Sequence, residues 1–193
     1  SLPSAGDRRA DVAVVGAGIV GLAVARVLSL RHPRLRIVVL DKEAGIARHQ
    51  TGRSSGVIHS GVYYAPGSMK ARLCVQGAAA LRAYCDERAI PYNICGKVIV
   101  ATEATEVPRL EELYRRGTAN GVPGLQLIGP ERLRELEPHA AGVRALHVPG
   151  TGIVDYGLVA QGLADDVAAA GGELLLGYGV EEIVEREGTG VLL

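Results

Sequence analysis

The chain has 193 residues, 48% of them hydrophobic, and its 21 basic residues match its 21 acidic residues, so the formal net charge is zero. A hydrophobic fraction of this size supports a buried core and excludes a chain that is disordered by composition. The balanced charge also disfavours a protein whose main partner is nucleic acid or an anionic membrane, because either partner requires a basic surplus. We therefore expect one domain, or one domain and part of another.

The apolar volume of this core must come from aliphatic side chains. The chain contains no Phe and no Trp, and its seven Tyr are the only aromatic residues. Its 26 glycines indicate many positions where backbone rather than side chain makes the contact.

The three cysteines Cys74, Cys85 and Cys95 are odd in number and have no metal-site spacing. This pattern predicts reduced, buried thiols in an intracellular protein and no metal site. No run approaches the roughly 18 apolar residues of a membrane span, and residues 1–10 lack the apolar core of a secretory signal. We expect those ten residues to be a flexible lead-in.

The first ordered segment predicts a strand, a glycine turn, a helix and a second strand. Residues 11–15 and 36–40 are continuous apolar runs, which are typical of strands buried on both faces of a parallel sheet. Between them, residues 19–30 carry an apolar stripe at helical spacing. The three elements predict a right-handed βαβ unit.

The rest of the chain alternates between the two kinds of element. A polar, glycine-rich segment over 44–67 encloses a strand-like run at 56–64, and a segment of this length in a compact domain is usually functional. The remaining predicted elements are a helix from the Ser68 N-cap to 88, a strand over 96–102, helices over 106–117 and 130–136, a strand over 145–148, turns over 149–156, a helix over 157–170, a third parallel strand over 173–178, and a hairpin of 180–186 with 191–193.

The predicted hairpin has barely begun its second strand where the sequence stops. Because native proteins avoid an open, apolar sheet edge, we expect the chain to be a fragment. The expected organisation is a lead-in at 1–10, the first part of a nucleotide-binding domain at 11–90, an inserted partial substrate domain at 91–150, and a return to the first domain at 151–193.

The glycine turn after the first strand matches the dinucleotide-binding pattern GxGxxG. Gly16 permits the tight turn, Gly18 allows the backbone to approach a pyrophosphate, and Gly21 lets the helix pack closely on the strand. Asp41 follows at the end of the second strand, where an acidic side chain accepts hydrogen bonds from the ribose. The turn, the helix and the acidic residue together predict a bound dinucleotide.

The pattern itself fits NAD and FAD equally. In NAD dehydrogenases further βα units usually follow directly, whereas about 130 residues separate the second predicted strand from the third here. A long insertion that begins with a Gly/Ser/Thr loop favours FAD.

Longer stretches of the sequence resemble one family. DVAVVGAGIVGLA, VVLDKE, HQTGRSSGVIHSGVYYAPGSMKARLCVQG, CGKVIVAT, NGVPG and TGIVDY are together similar to the L-2-hydroxyglutarate dehydrogenase/oxidase family, within the D-amino-acid-oxidase-like FAD-dependent oxidoreductases. The resemblance implies an α/β fold: a Rossmann-like FAD-binding domain of the glutathione-reductase or D-amino-acid-oxidase type, with an inserted, partial α+β substrate domain. It covers only the N-terminal half of such an enzyme, so these 193 residues alone are expected to be inactive and to bind FAD weakly.

The resemblance also implies roles for individual residues. The FAD pyrophosphate, ribose, ring and adenine would contact Gly16, Gly18, Ile19, Val20, Gly21, Asp41, Lys42, Thr51, Ser54, Ser55, Gly56 and Val180. Ser54 stands where family members often have Asn, a change that keeps a hydrogen-bonding side chain. The implied reaction is oxidation of L-2-hydroxyglutarate, or a close 2-hydroxy acid, to the 2-oxo acid by hydride transfer to flavin.

This chemistry requires a base for the hydroxyl proton and cations for two carboxylates. His59 is the candidate base, because an imidazole titrates near neutral pH; the alternative is a hydrogen-bonded structural histidine beside the flavin. The candidates for substrate binding are Tyr63, Tyr64, Lys70 and Arg72, with Arg53 and Lys97 as secondary ones. For Lys70 and Arg72 the alternative is an exposed, solvated side chain, and for the tyrosines core packing.

Several functional alternatives stay open. The alternatives are an FAD-dependent glycerol-3-phosphate dehydrogenase, an amino-acid-oxidase-like enzyme and a non-catalytic dinucleotide-binding module. The expected electron acceptor is a quinone, a carrier or oxygen, with peripheral association to a membrane as one arrangement. The expected location is cytoplasmic, or peripheral to the inner membrane, in a bacterium and mitochondrial in a eukaryote.

Overall fold

The computed structural model describes residues 9–186 and 190–192. Most of the predicted lead-in and the tip of the predicted hairpin lie outside these residues. The chain divides into two compact units, which are described separately: the first contains the described residues up to Ser55 and from Tyr156 onward, and the second contains Gly56–Asp155.

The helices and strands follow one another in mixed order along the chain. Their bounds are β1 (Val12–Val15), α1 (Ile19–Arg31), β2 (Ile37–Asp41), β3 (Val57–Ile58), α2 (Met69–Glu87), β4 (Tyr92–Asn93), β5 (Val98–Ala101), α3 (Val107–Ala119), β6 (Gln126–Ile128), α4 (Pro130–Leu136), β7 (Arg144–His147), β8 (Gly152–Val154), α5 (Tyr156–Ala169), β9 (Glu173–Leu176), β10 (Val184–Arg186) and β11 (Gly190–Leu192).

The first unit is built on a parallel sheet in the order β1-β2-β9. Val12 pairs with Ile37 and Val38 pairs with Glu173, both in parallel register. Helices α1 and α5 pack against each other, and their buried positions include Leu22, Ala25, Val159 and Leu163. The predicted βαβ unit and the third parallel strand are both present, and β10 pairs with β11 as an antiparallel hairpin.

The second unit contains two antiparallel sheets, in the orders β5-β7-β6 and β3-β8-β4. Its main core lies where α3 packs on the first of these sheets, and its buried members are Val62, Ala101, Leu110, Val122, Leu146 and Val148. A smaller cluster of Ile128, Leu133 and Ala145 lies under α4. All of these core side chains are aliphatic, as expected for a chain without Phe and Trp.

The strands of the second unit differ most from their predicted bounds. The run 56–64 forms only the two-residue strand β3, because turns begin after Ile58. The segment 149–156, predicted to be turns, contains β8, which pairs with β3 on one side and β4 on the other. Strands this short are stabilised by their partners rather than by their own residues.

The division into units also differs from the predicted domain bounds. Residues 56–90 were expected in the nucleotide-binding part, but they lie in the second unit. The physical reason is pairing: Val57 and Ile58 form their ladder with Ile153 and Gly152, so this segment belongs with β8.

The cysteines are free, but they are not all buried. Cys85 is buried, Cys74 is half-buried and Cys95 is exposed. The prediction of three buried thiols is therefore wrong for Cys95, which lies in the irregular segment between β4 and β5. Within the described residues, no helix has both the length and the apolar character needed to cross a bilayer, and no group of His, Cys, Asp and Glu has the arrangement of a metal site.

One ion pair joins the two helices of the first unit. Arg26 Nε on α1 lies 2.5 Å from Asp166 Oδ2 on α5, and the side chains are 22% and 4% exposed. A carboxylate buried to this degree needs a compensating charge, since its desolvation is otherwise unfavourable.

Replacing Arg26 by Ala should therefore lower the free energy of unfolding by about 3 kcal/mol, because it removes the guanidinium from a buried carboxylate. Thermal unfolding of the complete protein that carries this chain measures the change. The double variant Arg26→Met/Asp166→Leu should recover most of the loss. Arg132→Ala, which removes an exposed pair with Glu135, is the matched control and should have a much smaller effect; equal losses would contradict the assignment.

Candidate functional site

The glycine turn brings the start of α1 close to the end of β1. Gly16 has φ +108°, a conformation that residues with a side chain rarely adopt. A methyl group on Gly21 would lie 2.0 Å from the Gly16 carbonyl oxygen, so the helix could not pack at this distance with any larger residue. The turn thus directs the N-terminus of α1, whose first N–H groups have no partner inside the helix, toward the carboxyl ends of the strands.

Asp41 holds this turn from the end of β2. Its Oδ2 accepts a hydrogen bond from the Ala17 N–H at 2.7 Å, and its Oδ1 accepts one from the Glu43 N–H at 2.9 Å. Each carboxylate oxygen has a further lone pair available for a ligand hydroxyl. Asp41 therefore orients the glycine turn and can accept hydrogen bonds from a ribose at the same time.

Thr51 closes the turn from a separate segment. Its Oγ1 accepts a hydrogen bond from the Ile19 N–H at 3.1 Å, and the neighbouring Ala47 N–H donates to the Ala17 carbonyl at 3.0 Å. Gly18 is the N-cap residue of α1 and has no side chain to accept such a bond. Thr51 supplies that cap from 32 residues away, and its hydroxyl hydrogen remains available to a phosphate oxygen.

These residues line an open cavity of about 880 Å³ within the first unit. Eight of the predicted cofactor residues line it: Gly16, Gly18, Ile19, Val20, Gly21, Asp41, Thr51 and Ser54. Lys42, Ser55, Gly56 and Val180 are not among its lining residues. Lys42 and Ser55 have exposed side chains, Gly56 lies in the second unit, and Val180 follows β9 in irregular backbone.

The lining residues that the sequence did not predict include Ala47, Arg48, His49, Gln50 and Tyr156. The polar run just before Thr51 was a signal for the first four, although it did not indicate which of them line the cavity. His49 Nε2 forms a hydrogen bond with Glu43 Oε1 at 2.9 Å. Arg48 adds a cation to the wall, which suits a phosphate.

The cavity is compatible with a dinucleotide. Its volume lies in the usual range for small-molecule sites, roughly 300–1,000 Å³. The N-terminus of the 13-residue helix α1 forms part of its lining. A methyl group on Gly18 would meet only Thr51 Oγ1, at 3.4 Å. Glycine at this position is therefore not required by the protein's own packing and leaves room for a ligand against the backbone.

The predicted catalytic and substrate residues lie in the second unit, around a loop over 59–64, with the exception of Arg53, which lies in the first unit. The side chain of His59 is exposed, and its carbonyl accepts a hydrogen bond from the Cys74 thiol at 3.3 Å. Asn120 Nδ2 donates to the carbonyls of Gly61 and Tyr64, at 3.0 and 2.9 Å, and so holds the loop. Burial raises the pKa of the Cys74 thiol, and the positive charge of Lys97 opposes that shift.

Of the other candidates, Tyr63 is close to a cation, whereas Lys70 and Arg72 are exposed on the first turn of α2. The Tyr63 hydroxyl lies 3.4 Å from Lys97 Nζ. Arg72 borders a groove of about 340 Å³ that also contains Ser68 and Asn120. The predicted N-cap of α2 is confirmed, since Ser68 Oγ accepts a hydrogen bond from the Ala71 N–H at 3.2 Å.

A parallel βαβ unit, a glycine turn and an acidic residue at the end of β2 define a dinucleotide-binding protein of the Rossmann type. The particular family follows from comparison with known proteins. Residues 11–193 match the family described as FAD dependent oxidoreductase, or DAO, and the chain belongs to this family. The dinucleotide of this family is FAD, which confirms the preference for FAD over NAD that the long insertion after the second strand indicated.

Curated relatives extend along nearly the whole chain. This chain is 54% identical over 183 residues to the mitochondrial L-2-hydroxyglutarate dehydrogenase of Bos taurus, and the match covers 92% of this chain and 40% of that protein. It is 46% identical over 183 residues to the L-2-hydroxyglutarate dehydrogenase of Indibacter alkaliphilus, covering 95% of this chain and 46% of that protein. The chain thus spans less than half the length of these curated relatives.

Solved structures share the fold. The dithionite-reduced L-alpha-glycerophosphate oxidase of Mycoplasma pneumoniae with FAD bound superposes with a TM-score of 0.87 at 26% identity, covering 95% of this chain and 48% of that one. The glycine oxidase of Geobacillus kaustophilus superposes with a TM-score of 0.80 at 26% identity, covering 95% and 52% of the two chains.

The two glycines of the turn provide a matched pair of variants. Gly18→Ala should leave thermal unfolding of the apoprotein unchanged but weaken FAD binding at least about tenfold, because the added methyl group fills ligand space. Gly21→Ala should destabilise the apoprotein by about 2–3 kcal/mol, because its methyl group meets backbone. Titration of apoprotein with FAD, followed by flavin fluorescence, gives the affinities. Unchanged FAD affinity in Gly18→Ala would contradict the assignment of the cavity.

Thr51 offers a second test of the same site. Thr51→Val keeps the shape of the side chain but removes the acceptor for the Ile19 N–H, and should lower apoprotein stability by about 1 kcal/mol. It should also weaken FAD binding, since the hydroxyl donor is lost. Thr51→Ser retains the hydroxyl and is the control. If the Thr51→Val and Thr51→Ser variants have the same melting temperature and the same FAD affinity, Thr51 does not cap α1.

Proposed function

We propose that the protein carrying this chain oxidises L-2-hydroxyglutarate to 2-oxoglutarate with FAD. The observation that carries the proposal is the 54% identity to the bovine L-2-hydroxyglutarate dehydrogenase, which runs through both structural units. The glycerophosphate and glycine oxidases share the fold at 26% identity. The difference in identity favours a 2-hydroxy acid over glycerol phosphate or an amino acid as the substrate.

The residues that would hold FAD are those of the cavity in the first unit. The N-terminus of α1, at Gly18 and Ile19, would face the pyrophosphate, and Thr51 would donate its hydroxyl hydrogen to a phosphate oxygen. Asp41 would accept hydrogen bonds from the ribose through its remaining lone pairs. When bound, FAD accepts the hydride that leaves the α-carbon of the substrate.

His59 is the proposed base for this reaction. Oxidation of the alcohol removes two electrons with the α-hydrogen and one proton from the hydroxyl group, so a proton acceptor is needed beside the substrate. The His59 side chain is exposed, and its imidazole has no hydrogen bond or ion pair to the part of the chain that the structure describes. Its carbonyl is held by Cys74, so the backbone is positioned while the ring is free to accept a proton.

The electron acceptor and the location are further parts of the proposal. Reduced flavin would pass its electrons to a quinone, a carrier or oxygen, and a peripheral membrane position would suit a quinone. Several eukaryotic relatives carry the word mitochondrial in their names. We propose the mitochondrion for a eukaryotic source and the cytoplasm, or the inner face of its membrane, for a bacterial one.

The complete protein should be yellow, and its flavin absorbance should bleach anaerobically on addition of L-2-hydroxyglutarate. Reduction of FAD removes its absorbance near 450 nm, roughly stoichiometrically with enzyme, so a spectrophotometric titration is sufficient. The D-enantiomer, glycerol 3-phosphate and a D-amino acid are the comparison substrates. A protein that bleaches with one of these and not with L-2-hydroxyglutarate would overturn the proposed substrate.

His59→Gln should lower the rate of flavin reduction by about 10²–10⁴-fold, the range expected for loss of a general base. The FAD content should stay close to that of the unchanged protein, because His59 is not among the lining residues of the first-unit cavity. His139→Gln, at another exposed histidine, is the control and should reduce flavin normally. Stopped-flow measurement of flavin reduction distinguishes the two variants. A His59→Gln protein with an unchanged rate would remove His59 as the base.

A further inference from the structure

One end of the β3–β8 ladder gathers polar groups that the proposed reaction has not used. Ile58 pairs with Gly152, so His59 and Ser60 leave the ladder at the end where Thr151 enters it. The Gly96 N–H donates to the Thr151 carbonyl at 2.9 Å, which places Lys97 next to this end. Residues from four distant parts of the sequence, near 60, 74, 97 and 151, therefore meet within the second unit.

Lys97 is held in a defined position here. Its backbone exchanges two hydrogen bonds with Val148, at 3.1 and 2.8 Å, at the start of β5. Its ammonium lies 4.5 Å from the centroid of the Tyr63 ring and 3.4 Å from the Tyr63 hydroxyl oxygen. A cation over an aromatic face with a hydroxyl acceptor at the edge is a stable arrangement, and it restricts where the remaining N–H groups can point.

The charge of Lys97 is not balanced locally. The side chain is half-buried, and none of the ion pairs among residues 9–186 includes it. The contact of the ammonium with the Tyr63 hydroxyl is exposed, so an anionic ligand can reach the charge. Lys70 and Arg72 lie on the first turn of α2, where water solvates the charge.

Two buried hydroxyl groups at the same end of the ladder also lack a partner. Ser60 is 8% exposed and Thr151 is 3% exposed, and neither Oγ of Ser60 nor Oγ1 of Thr151 has a hydrogen bond within the described residues. Buried polar side-chain atoms are nearly always hydrogen-bonded to protein, water or ligand. Both oxygen atoms are shielded from solvent, so the binding of an anion would rest on the exposed pair of Lys97 and Tyr63.

We propose that Lys97 and Tyr63 form the binding site for a carboxylate group of the substrate. The inference rests on the proposed function, because it assigns a residue that recognises the same anionic substrate. One N–H of Lys97 donates to the Tyr63 oxygen and two remain, while the Tyr63 O–H is free to donate. Three donors, two of them on the charged ammonium, are then available to an acceptor outside the loop, and carboxylate oxygens accept hydrogen bonds of this kind.

The complete protein with Lys97→Met tests this assignment. We expect KM for L-2-hydroxyglutarate to rise at least tenfold, with kcat within about threefold of the unchanged protein, since the lost interaction binds substrate without taking part in the chemistry. The dissociation constant of glutarate, a dicarboxylate without an oxidisable hydroxyl, should rise by a similar factor in calorimetric titration. Lys97→Arg should retain most of the affinity, because it retains the charge. Tyr63→Phe, which keeps the ring but removes the donor, should give an intermediate increase.

Controls separate this inference from general effects. Arg134→Met, an exposed cation on α4 of the same unit, changes the net charge equally and should leave both constants unchanged. FAD content and melting temperature report whether Lys97→Met is folded; if it is not, Lys97→Arg and Tyr63→Phe provide the comparison. Unchanged KM and glutarate affinity in a folded Lys97→Met protein would overturn the assignment. If the unchanged protein bleaches only with another anionic substrate, the proposed function fails, and the same variants measured with that substrate still test Lys97.

Discussion

The N–H groups at the start of α1 are the constraint on which the first unit depends. A helix begins with backbone donors that have no partner inside the helix, and here they lie at the carboxyl ends of the strands. Asp41 and Thr51, from two other segments, accept hydrogen bonds from Ala17 and Ile19. The close packing of Gly21 against the Gly16 carbonyl group fixes the distance between the start of α1 and the glycine turn. The same contacts that stabilise the turn therefore shape the cavity proposed for FAD.

The second unit positions its functional loop by a related principle. The loop over 59–64 has little regular structure, so its carbonyl groups need donors from neighbouring elements. Asn120 and Cys74 supply them and leave the side chains of His59 and Tyr63 exposed. A scaffold of short strands and helices thus presents the proposed base His59 and the proposed substrate residue Tyr63 on a loop, which is the usual division between stability and function.

Local patterns predicted the elements that are stabilised locally. The helices α1, α2, α4 and α5 and the strands β1, β2 and β9 lie within a few residues of their predicted positions, because apolar periodicity and caps such as Ser68 act over one or two turns. The strands β4, β6 and β8 were not predicted. Each has three residues or fewer, and such a segment becomes a strand only through pairing with a distant partner.

The sequence by itself determined the glycine turn with Asp41, because these residues have fixed spacing along one βαβ unit. It also determined the family and the FAD cofactor, because the motifs that carry the resemblance run along most of the chain. Only the tertiary structure decided which side chains surround the turn and which surround the second-unit loop. Arg48 and Tyr156 enter the cavity, and Lys97 meets Tyr63, through contacts between segments far apart in the chain. Spacing carries no information about such contacts, since they are set by the pairing of strands and the packing of helices.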